Sequence, residues 1–514
     1  MGSTAVERAG FRQQEQQIMK ILFATSEVHP LVKTGGLGDV SASLPAALHR
    51  LGHDVKLVLP AYRRVLDRVG SVKIVARIGL PGIPEPGRIM ATQMPGSGVP
   101  LWLVDAPSLY DRAGGPYTDP AGHDWPDNAL RFASFARAVV ELATDRANQD
   151  WKADVVHCND WQTGLVSALL SRESSHPATV FTIHNMAYQG VFPPETFDAL
   201  HLPKDLWSPE GLEFYGDLSF IKGGIAYADR ITTVSPTYAK EIQQPEFGYG
   251  LEGLLSHRAE HLTGILNGVD YQTWDPAHDP LIPHHYTPEA LEGKSANKRA
   301  LQQRLGLPER PEVPLLGVIG RLVDQKGIDL IVDALPELLK REVQVIVLGT
   351  GDKKLETLLQ AAADRHGEQL GVHIGYDETL AHWVEAGTDI FLMPSRFEPC
   401  GLNQIYSLRY GTLPVVRGTG GLADTVIDAN QENLQQKSAT GFVFQQATTD
   451  ALVSALGRAL QLFRDRTSWE QMMRTAMAED LSWERSAARY IALYEAAATK
   501  NPNQASRYPA VAPL

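Results

Sequence analysis

A short apolar segment, a glycine-rich turn and a helix-like segment recur along this chain, and this repeat most limits the folds it can adopt. The first copy starts at Met19, where KILFATSE, the turn KTGGLGD and the amphipathic VSASLPAALHRLG precede a second apolar segment, HDVKLVLP. This order is typical of a unit in which a helix joins two parallel strands. We therefore predict an α/β fold built on parallel sheets.

Further strands of the first half are predicted at Leu101–Val104, Asp154–His157, Ala178–Ile183 and Arg230–Val234. An amphipathic helix is predicted over Asp127–Ala143. Short apolar runs alternating with helical periodicity predict that this half is a parallel sheet covered by helices.

The polar passage Trp274–Pro288 interrupts the alternation, which restarts at VPLLGVIGRL. Later strands are predicted in VQVIVLGTGD, GVHIGY, TDIFLMPSRFE, TLPVVRGTGGL and GFVF. We therefore predict two Rossmann-like domains that face each other across a deep cleft. Ligands of such sheets bind at the carboxyl ends of the strands, where the polar residues of this chain are concentrated.

The expected domain boundaries follow from these patterns. Residues 19–262 are expected to form the first domain and residues 263–479 the second, with a helix over 480–499 returning to the first. Residues 1–18 carry charges of both signs and lack an apolar segment, so we expect a disordered extension and not a secretory signal. Residues 500–514 are expected to be a flexible tail.

Composition excludes several classes of protein. The chain has 514 residues, 43% of them hydrophobic, and a net charge of −13, which opposes binding to nucleic acid or anionic lipid. No apolar run approaches the ~18–20 residues that span a bilayer. The two cysteines, Cys158 and Cys400, lie too far apart in sequence to indicate a disulfide framework or a zinc site, and they favour a reducing cytoplasm.

The turn Lys33–Asp39 lies between the first strand and the first helix. Glycine lets backbone N–H groups approach an anion, a helix N-terminus favours negative charge, and Lys33 adds a cation. The turn is therefore a candidate phosphate or sugar site, although a purely structural turn explains it equally well. It matches neither G-x-G-x-x-G nor G-x-x-x-x-G-K-[ST].

Two further elements, both in the second half, suit a diphosphate. Arg321 and Lys326 follow the strand VPLLGVIG, where two cations can stabilise a leaving group, or can simply be surface charges. The turn Arg417–Asp424 follows the strand TLPVV and opens a helix, which makes it a second candidate anion site. The occurrence of these two elements together with the turn Lys33–Asp39 favours a nucleotide-sugar ligand over separate structural explanations of each.

Polar residues at other strand ends are candidates for binding a sugar. Glu398, in PSRFEPCGLNQ, can accept hydrogen bonds from sugar hydroxyls, or can form an ion pair with Arg396. Asp160 and His184 can position a sugar or cap the helices that follow them. Asn267, in LNGVD, can be a turn residue only. No D-x-D, H-E-x-x-H or G-x-S-x-G motif points to a bound metal or a serine nucleophile.

With these residues identified, the chain resembles the bacterial glycogen synthase and plant starch synthase family from about Lys20 to Tyr494. The blocks that carry the resemblance, in the family's order, are KTGGLGDV, HCNDWQTGL, TIHNMAYQG, VSPTYAKEI, LNGVD, GRLVDQKGID, SRFEPCGLNQ and GTGGLADTV. The resemblance implies the GT-B fold and transfer of glucose from ADP-glucose, or UDP-glucose in some members, to an α-1,4-glucan such as glycogen. Transfer would retain the α configuration without a metal or other cofactor.

The resemblance also implies roles for individual residues. The implied catalytic residues are Lys33, His184, Arg321, Lys326 and Glu398. The implied donor-binding residues are Lys33, Gly35, Gly36, Asn185, Asn267, Arg321, Lys326, Tyr376, Glu398, Cys400, Gly401, Thr419, Gly420 and Gly421. The implied acceptor-binding residues are Asp39, Tyr110 and Asp160.

Two positions depart from related patterns. Wider relatives carry a second glutamate eight positions after the first, where this chain has Tyr406, so ribose recognition is expected to differ. Position 403 is Asn, as in starch synthases. The alternative functions are a UDP-glucose-dependent transferase with a small acceptor and a catalytically silent glucan-binding protein; only a synthase would extend maltooligosaccharides repeatedly.

Overall fold

The computed structural model describes residues 18–499. The expectations of a disordered extension and a flexible tail concern residues that, apart from Ile18, lie outside this range.

Twelve strands lie between residues 18 and 264 of the described range. In chain order they are β1 (Lys20–Ala24), β2 (Asp54–Pro60), β3 (Lys73–Ile78), β4 (Gly87–Gln93), β5 (Pro100–Asp105), β6 (Val155–Asn159), β7 (Ala178–Ile183), β8 (Val191–Phe192), β9 (Glu213–Phe214), β10 (Asp217–Ser219), β11 (Arg230–Thr233) and β12 (Leu262–Gly264). Nine of them form one sheet in the order β12-β11-β7-β6-β1-β2-β5-β4-β3, and β8, β10 and β9 form a small separate sheet. The predicted domain end at residue 262 therefore falls on the first residue of β12.

The prediction of a wholly parallel first sheet is wrong at one edge. β4 pairs antiparallel with both β5 and β3, whereas the other pairs in this sheet are parallel. Short links join β3, β4 and β5 without a helix, so each of these strands reverses direction. The pattern of β3 is mostly exposed, as suits an edge strand and not a buried parallel one.

Helices cover both faces of this sheet. Those of the first half are α1 (Gly36–Arg50), α2 (Arg63–Leu66), α3 (Pro107–Tyr110), α4 (Asn128–Ala143), α5 (Gly164–Leu170), α6 (Glu195–Ala199), α7 (Phe220–Tyr227), α8 (Pro236–Glu241), α9 (Pro245–Gly248) and α10 (Glu252–His257). Strands β1, β6 and β7 at the centre of the sheet are almost entirely buried, so the polar residues that follow them mark its functional edge.

The second half forms a six-stranded parallel sheet in the order β15-β14-β13-β16-β17-β18. Its strands are β13 (Leu315–Leu322), β14 (Gln344–Gly351), β15 (Leu370–Ile374), β16 (Ile390–Met393), β17 (Leu413–Arg417) and β18 (Phe442–Phe444). Its helices are α11 (Glu292–Arg304), α12 (Ile328–Leu338), α13 (Lys353–Arg365), α14 (Glu378–Gly387), α15 (Asn403–Arg409), α16 (Gly420–Thr425), α17 (Gln431–Gln436), α18 (Thr449–Phe463) and α19 (Arg466–Met477). The predicted architecture of two α/β domains, each built on a sheet that is wholly or mostly parallel, is confirmed.

The last helix, α20 (Trp483–Thr499), lies against α1, β6 and β7 of the first domain. The hydroxyl of its Tyr494 lies 2.7 Å from Nδ1 of His157, a buried residue of β6. The chain passes into the second domain near Val269 and returns to the first near Leu481. These two segments lie side by side, because the Val269 N–H donates to the Leu481 carbonyl at 2.8 Å. Two adjacent segments thus join the domains.

Candidate active site

Adjacent strands of the first sheet deliver the first group of site residues. His184 and Asp160 follow β7 and β6, which pair with each other. The Asp160 carboxylate accepts the His184 backbone N–H at 2.7 Å. Asp160 has a φ of 56° and a ψ of −179°, a backbone conformation that residues other than glycine rarely adopt. Through this hydrogen bond the Asp160 carboxylate contacts the first residue of the loop that follows β7.

The protonation state of His184 follows from its surroundings. Asn159 donates through Nδ2 to the Ala24 carbonyl, so its Oδ1 is the atom that accepts from His184 Nε2 at 3.0 Å. Burial lowers the pKa of His184 to about 3. The imidazole is therefore neutral near pH 7, with the proton on Nε2 and Nδ1 left as a hydrogen-bond acceptor.

Burial has the opposite effect on Asp160. Loss of solvation raises the pKa of this carboxyl to about 7, although backbone N–H groups of His184 and Asn185 act to lower it. Asn185 lies beside it, half-buried, and its own Oδ1 accepts the Ala187 N–H. A carboxyl group whose pKa is about 7 thus lies next to a neutral histidine.

A carboxylate of the protein, that of Glu27, is bound by the first glycine-rich turn. The buried carboxylate of Glu27 accepts hydrogen bonds from the Thr34 backbone and hydroxyl, the latter at 2.6 Å, and from Gly35 N–H at 3.4 Å. The Tyr117 hydroxyl also donates to it, at 2.6 Å. Two N–H groups of this turn are therefore occupied.

Lys33 and Asp39 of the same turn form an ion pair of 2.7 Å at its exposed side. Burial raises the pKa of Asp39, and the Lys33 ammonium opposes that shift. Gly36 faces the second domain, because a Cβ built there would lie 3.9 Å from Leu402 Cδ1. The turn thus lies at the contact between the two domains.

The second domain places Lys326 and Glu398 together. Lys326 Nζ lies 2.5 Å from Glu398 Oε2, to which the Ser395 hydroxyl also donates at 3.1 Å. Glu398 is only 5% exposed. The alternative pairing of Glu398 with Arg396 is not formed, because Arg396 binds Asp329 at 2.6 Å.

The second glycine-rich turn packs directly on the segment that carries Glu398. A Cβ on Gly420 would lie 1.9 Å from the Glu398 carbonyl oxygen, and one on Gly421 would lie 2.0 Å from that of Cys400. Gly420 also has a φ of +45°. Only glycine fits both positions, so this turn and the segment of Glu398 form one unit.

A carboxylate from the other domain reaches this turn. Glu241, the last residue of α8, accepts from the Thr419 hydroxyl at 2.9 Å and from Gly420 N–H at 3.0 Å. In return Asp424 of α16 accepts from the Thr237 N–H at 2.8 Å and its hydroxyl at 2.6 Å. We call these reciprocal hydrogen bonds the inter-domain clasp.

Asn267, Cys400 and Gly401 lie beside this unit. Asn267 is 5% exposed, and its Oδ1 has no hydrogen-bond partner within residues 18–499, as expected of a group that binds a ligand. Burial raises the pKa of the Cys400 thiol to about 12, so it is protonated near pH 7. Gly401 has a φ of +71° and would place a Cβ 2.3 Å from Gln404 Oε1.

Other predicted residues are more peripheral. Arg321 is exposed and its guanidinium lies 3.4 Å from Gln325 Oε1, and Tyr376 is 75% exposed after the end of β15. Tyr406, which replaces the second glutamate of wider relatives, stacks on Trp274 with ring centroids 4.0 Å apart. His382 stacks on the same indole at 3.7 Å. This position therefore belongs to an aromatic stack at the domain joint.

Tyr110 is not brought together with the other residues. It is 1% exposed, and its hydroxyl donates to the Arg131 carbonyl at 2.7 Å. A side chain in the core of the first domain presents no surface to an acceptor sugar. The expected acceptor role of Tyr110 does not fit this position.

Sequence reasoning missed Glu27 and Glu241. Glu27 ends the segment KILFATSE, so its place just beyond a strand was a usable signal. Glu241 lies in the block VSPTYAKEI, but its contact with Thr419 joins residues 178 apart and gives no local pattern. Across residues 18–499, no helix is long and apolar enough to cross a membrane.

Comparison with known proteins identifies the class and then the family. Residues 20–257 match the family described as starch synthase catalytic domain, and residues 298–475 match glycosyl transferases group 1. With the fold and the site, these matches define a glycosyltransferase of the GT-B type. The chain is 58% identical to a glycogen synthase of Thioalkalivibrio sulfidiphilus over 93% of its length and 99% of that protein. It belongs to the bacterial glycogen synthase family.

Other relatives agree. The chain is 56% identical to glycogen synthase 1 of Methylococcus capsulatus, over 93% of its length and 97% of that protein. Among solved structures, the catalytic domain of Arabidopsis thaliana starch synthase IV bound to ADP and acarbose has a TM-score of 0.85 and 32% identity, covering 94% of this chain and 100% of that one. Sucrose-phosphate synthase of Thermosynechococcus elongatus has a TM-score of 0.58 at 15% identity, with the same coverage, and shares the fold.

Proposed function

We propose that this protein elongates glycogen by transferring glucose from ADP-glucose to the non-reducing end of an α-1,4-glucan, with retention of configuration. Family membership supports the glucan product, and the relative bound to ADP and acarbose supports an adenine nucleotide donor and a sugar-chain acceptor. The observation that carries the proposal is the Lys326–Glu398 pair beside the Gly420–Gly421 turn of the second domain, with His184 and Asp160 in the first domain.

The second domain would bind the donor. The Lys326 ammonium and the Arg321 guanidinium would stabilise the negative charge that develops on the leaving diphosphate, as would the Thr419 hydroxyl and Gly420 N–H. Glu398 would accept hydrogen bonds from hydroxyls of the transferred glucose. These protein cations can supply the stabilisation in place of a metal ion, so we propose metal-independent transfer.

The first domain would bind the acceptor and the reacting sugar. Neutral His184 can accept a hydrogen bond at Nδ1, and Asp160 lies beside it. In the proposed step the C1–O bond to ADP breaks while the acceptor 4-OH forms a bond to C1 on the same face. The acceptor proton passes to the departing diphosphate oxygen.

A covalent glucosyl-enzyme is the alternative route to retention. Asp160 is the carboxylate adjoining His184, but its Oδ1 already accepts a backbone N–H at 2.7 Å and the residue is 8% exposed. We therefore favour the front-face route. A trapped glucosyl ester on Asp160 would refute it.

The test is incorporation of glucose into glycogen from ADP-glucose or UDP-glucose, with and without chelator, by the wild type and by Lys326→Ala and Glu398→Ala. Each variant loses a group that contacts the reacting sugar or the leaving group, so we expect roughly a 10²-fold or greater fall in kcat. Lys353→Ala is the matched control, since Lys353 forms a surface pair with Glu356 in the same domain.

Incorporation from ADP-glucose that survives chelator and is lost in both variants would support the proposal. Failure of the wild type to extend glycogen or maltooligosaccharides with either donor would refute it, and efficient transfer to a small sugar instead would favour a different acceptor. We also propose a cytoplasmic location, which suits two buried free thiols, Cys158 and Cys400.

A further inference from the structure

Three exposed tyrosines gather on one surface of the first domain. Tyr188 lies on the loop after β7, Tyr215 in the turn between β9 and β10, and Tyr249 at the end of α9. Their exposed fractions are 52%, 82% and 42%. We call these three side chains the tyrosine patch.

The backbone at two of these tyrosines is unusual. Tyr215 has a φ of 52° and Tyr249 a φ of 50°, and each is followed by a glycine with positive φ. Tyr215 and Gly216 form the two-residue hairpin turn between β9 and β10, which ordinarily carries Asn-Gly or Asp-Gly, and Tyr249 ends the short helix α9, where glycine or asparagine is usual. Left-handed backbone costs other residues on the order of 1 kcal/mol. Because Tyr215 is 82% exposed and Tyr249 42% exposed, burial of the rings offsets only part of this cost.

Contacts between the segments fix the patch. Gly250 packs against the rings of Phe214 and Tyr215, and those two rings are 4.8 Å apart in an edge-to-face arrangement. Gln189 Nε2 donates to the Tyr249 carbonyl at 3.2 Å, which ties the Tyr188 loop to the second tyrosine turn. The rings are therefore presented by a preformed surface.

This surface adjoins the candidate active site. Tyr188 N–H donates to the Asn185 carbonyl at 3.2 Å, closing a turn whose end residues are within about 7 Å of each other. Tyr249 follows shortly after α8, whose Glu241 contacts the second domain. The patch thus continues outward from the first-domain wall of the cleft.

We propose that the tyrosine patch binds the acceptor glucan at glucose units beyond those in the cleft. Exposed aromatic rings offer flat apolar faces on which the C–H faces of pyranose rings can stack, while their hydroxyls reach sugar hydroxyls. The carboxylates of Glu213 and Glu252, which brace the two Tyr-Gly turns through Gly216 and Gly250 N–H, make an anionic ligand unsuitable. A neutral polysaccharide fits this chemistry, and the inference rests on the proposed function.

The test uses Tyr215→Gly and Tyr249→Gly, because glycine accepts the left-handed backbone and so removes the ring without adding strain. Binding of maltoheptaose and glycogen is measured by calorimetry without donor, and KM is measured for glycogen and for maltotriose. We expect each variant to weaken glycogen binding and raise its KM roughly fivefold to tenfold, as loss of an aromatic contact would. The effect on maltotriose should be smaller.

Lys437→Gly is the matched control, since Lys437 is exposed in the second domain and has a φ of 56°. A glycogen affinity within twofold of wild type in both tyrosine variants, or equal losses for maltotriose and glycogen, would overturn the proposal. So would a change of oligomeric state that accounts for the loss. The binding measurement repeated in Lys326→Ala separates this outcome from failure of the proposed transfer reaction, because it requires no turnover.

Discussion

At the residue scale, the buried carboxyl of Asp160 predicts a pH dependence of stability. Burial raises its pKa to about 7 in the folded protein from 3.8. Between these two values the folded state holds a proton that the unfolded state has released. The free energy of unfolding contributed by this group therefore falls as the pH rises through that window, by at most ~1.4 kcal/mol per pH unit, and is constant above it.

The check is urea unfolding of the wild type and Asp160→Asn at several pH values. The amide does not titrate, so the difference in unfolding free energy between the two proteins should shift against the wild type as the pH rises toward about 7. A difference that is independent of pH across this interval would contradict the raised pKa.

Some residues of the candidate site could be recognised from the sequence alone, and others could not. Lys326 and Glu398 were recognisable because each is a charge just beyond an apolar strand, and the structure places them 2.5 Å apart. The acceptor role that the resemblance implies for Tyr110 stays a prediction, and the burial of its side chain could not be read from the sequence, because an aromatic residue can line a cleft or fill a core. Glu241 went unrecognised because a charge at the end of a short helix is usually solvated, and its partner lies in the other domain.

At the element scale, the close fit of the second glycine-rich turn predicts the effect of a single methyl group. In Gly421→Ala the new Cβ would lie 2.0 Å from the Cys400 carbonyl, so the segment that carries Glu398 must move. We expect a loss of about 1–3 kcal/mol in stability and a fall in transfer activity. Thermal unfolding and the glycogen assay would show both.

Gly457→Ala is the control for that substitution. Gly457 lies within α18, and its Cβ would meet only Arg341 Nη1 at 3.8 Å. Alanine is a better helix former than glycine, so stability should be unchanged or slightly higher. Equal stability of the two variants would refute the role given to the turn.

Elements were predictable where one periodicity dominates. The buried central strands and α20 were found because their patterns are long or strongly apolar. The antiparallel β3 and β4 were not: β3 is the edge strand and buries little, and β4, between β5 and β3, has a mixed burial pattern without clear alternation. The small sheet of β8, β9 and β10 consists of strands of two or three residues, which are too short for any period to show.

At the scale of the whole molecule, the inter-domain clasp predicts competition with the donor. Glu241 occupies the Thr419 hydroxyl and Gly420 N–H that we assign to the diphosphate. Glu241→Ala removes this competitor and its negative charge, so ADP should bind more tightly. Because a charged hydrogen bond contributes about 1.5–3 kcal/mol, a gain of roughly tenfold is expected by calorimetry.

Asp424→Asn tests the clasp without vacating that turn. It weakens the reciprocal contact with Thr237 but leaves Glu241 in place. Both variants should enlarge the ligand-free molecule in solution scattering, whereas only Glu241→Ala should gain most of the ADP affinity. Weaker ADP binding by Glu241→Ala would show that this carboxylate assists the donor and does not compete with it.

The position of α20 has a consequence for how the protein is made. Its Tyr494 covers His157 in the middle of the first sheet, although more than three hundred residues separate them. During synthesis the first domain emerges early, but α20 is translated only after the whole second domain. Until then the face of the first sheet that α20 covers remains exposed. The first domain therefore completes its folding only after the second domain has been synthesised. Deletion of the final residues of α20 would remove Tyr494 from His157 and so destabilise the first domain.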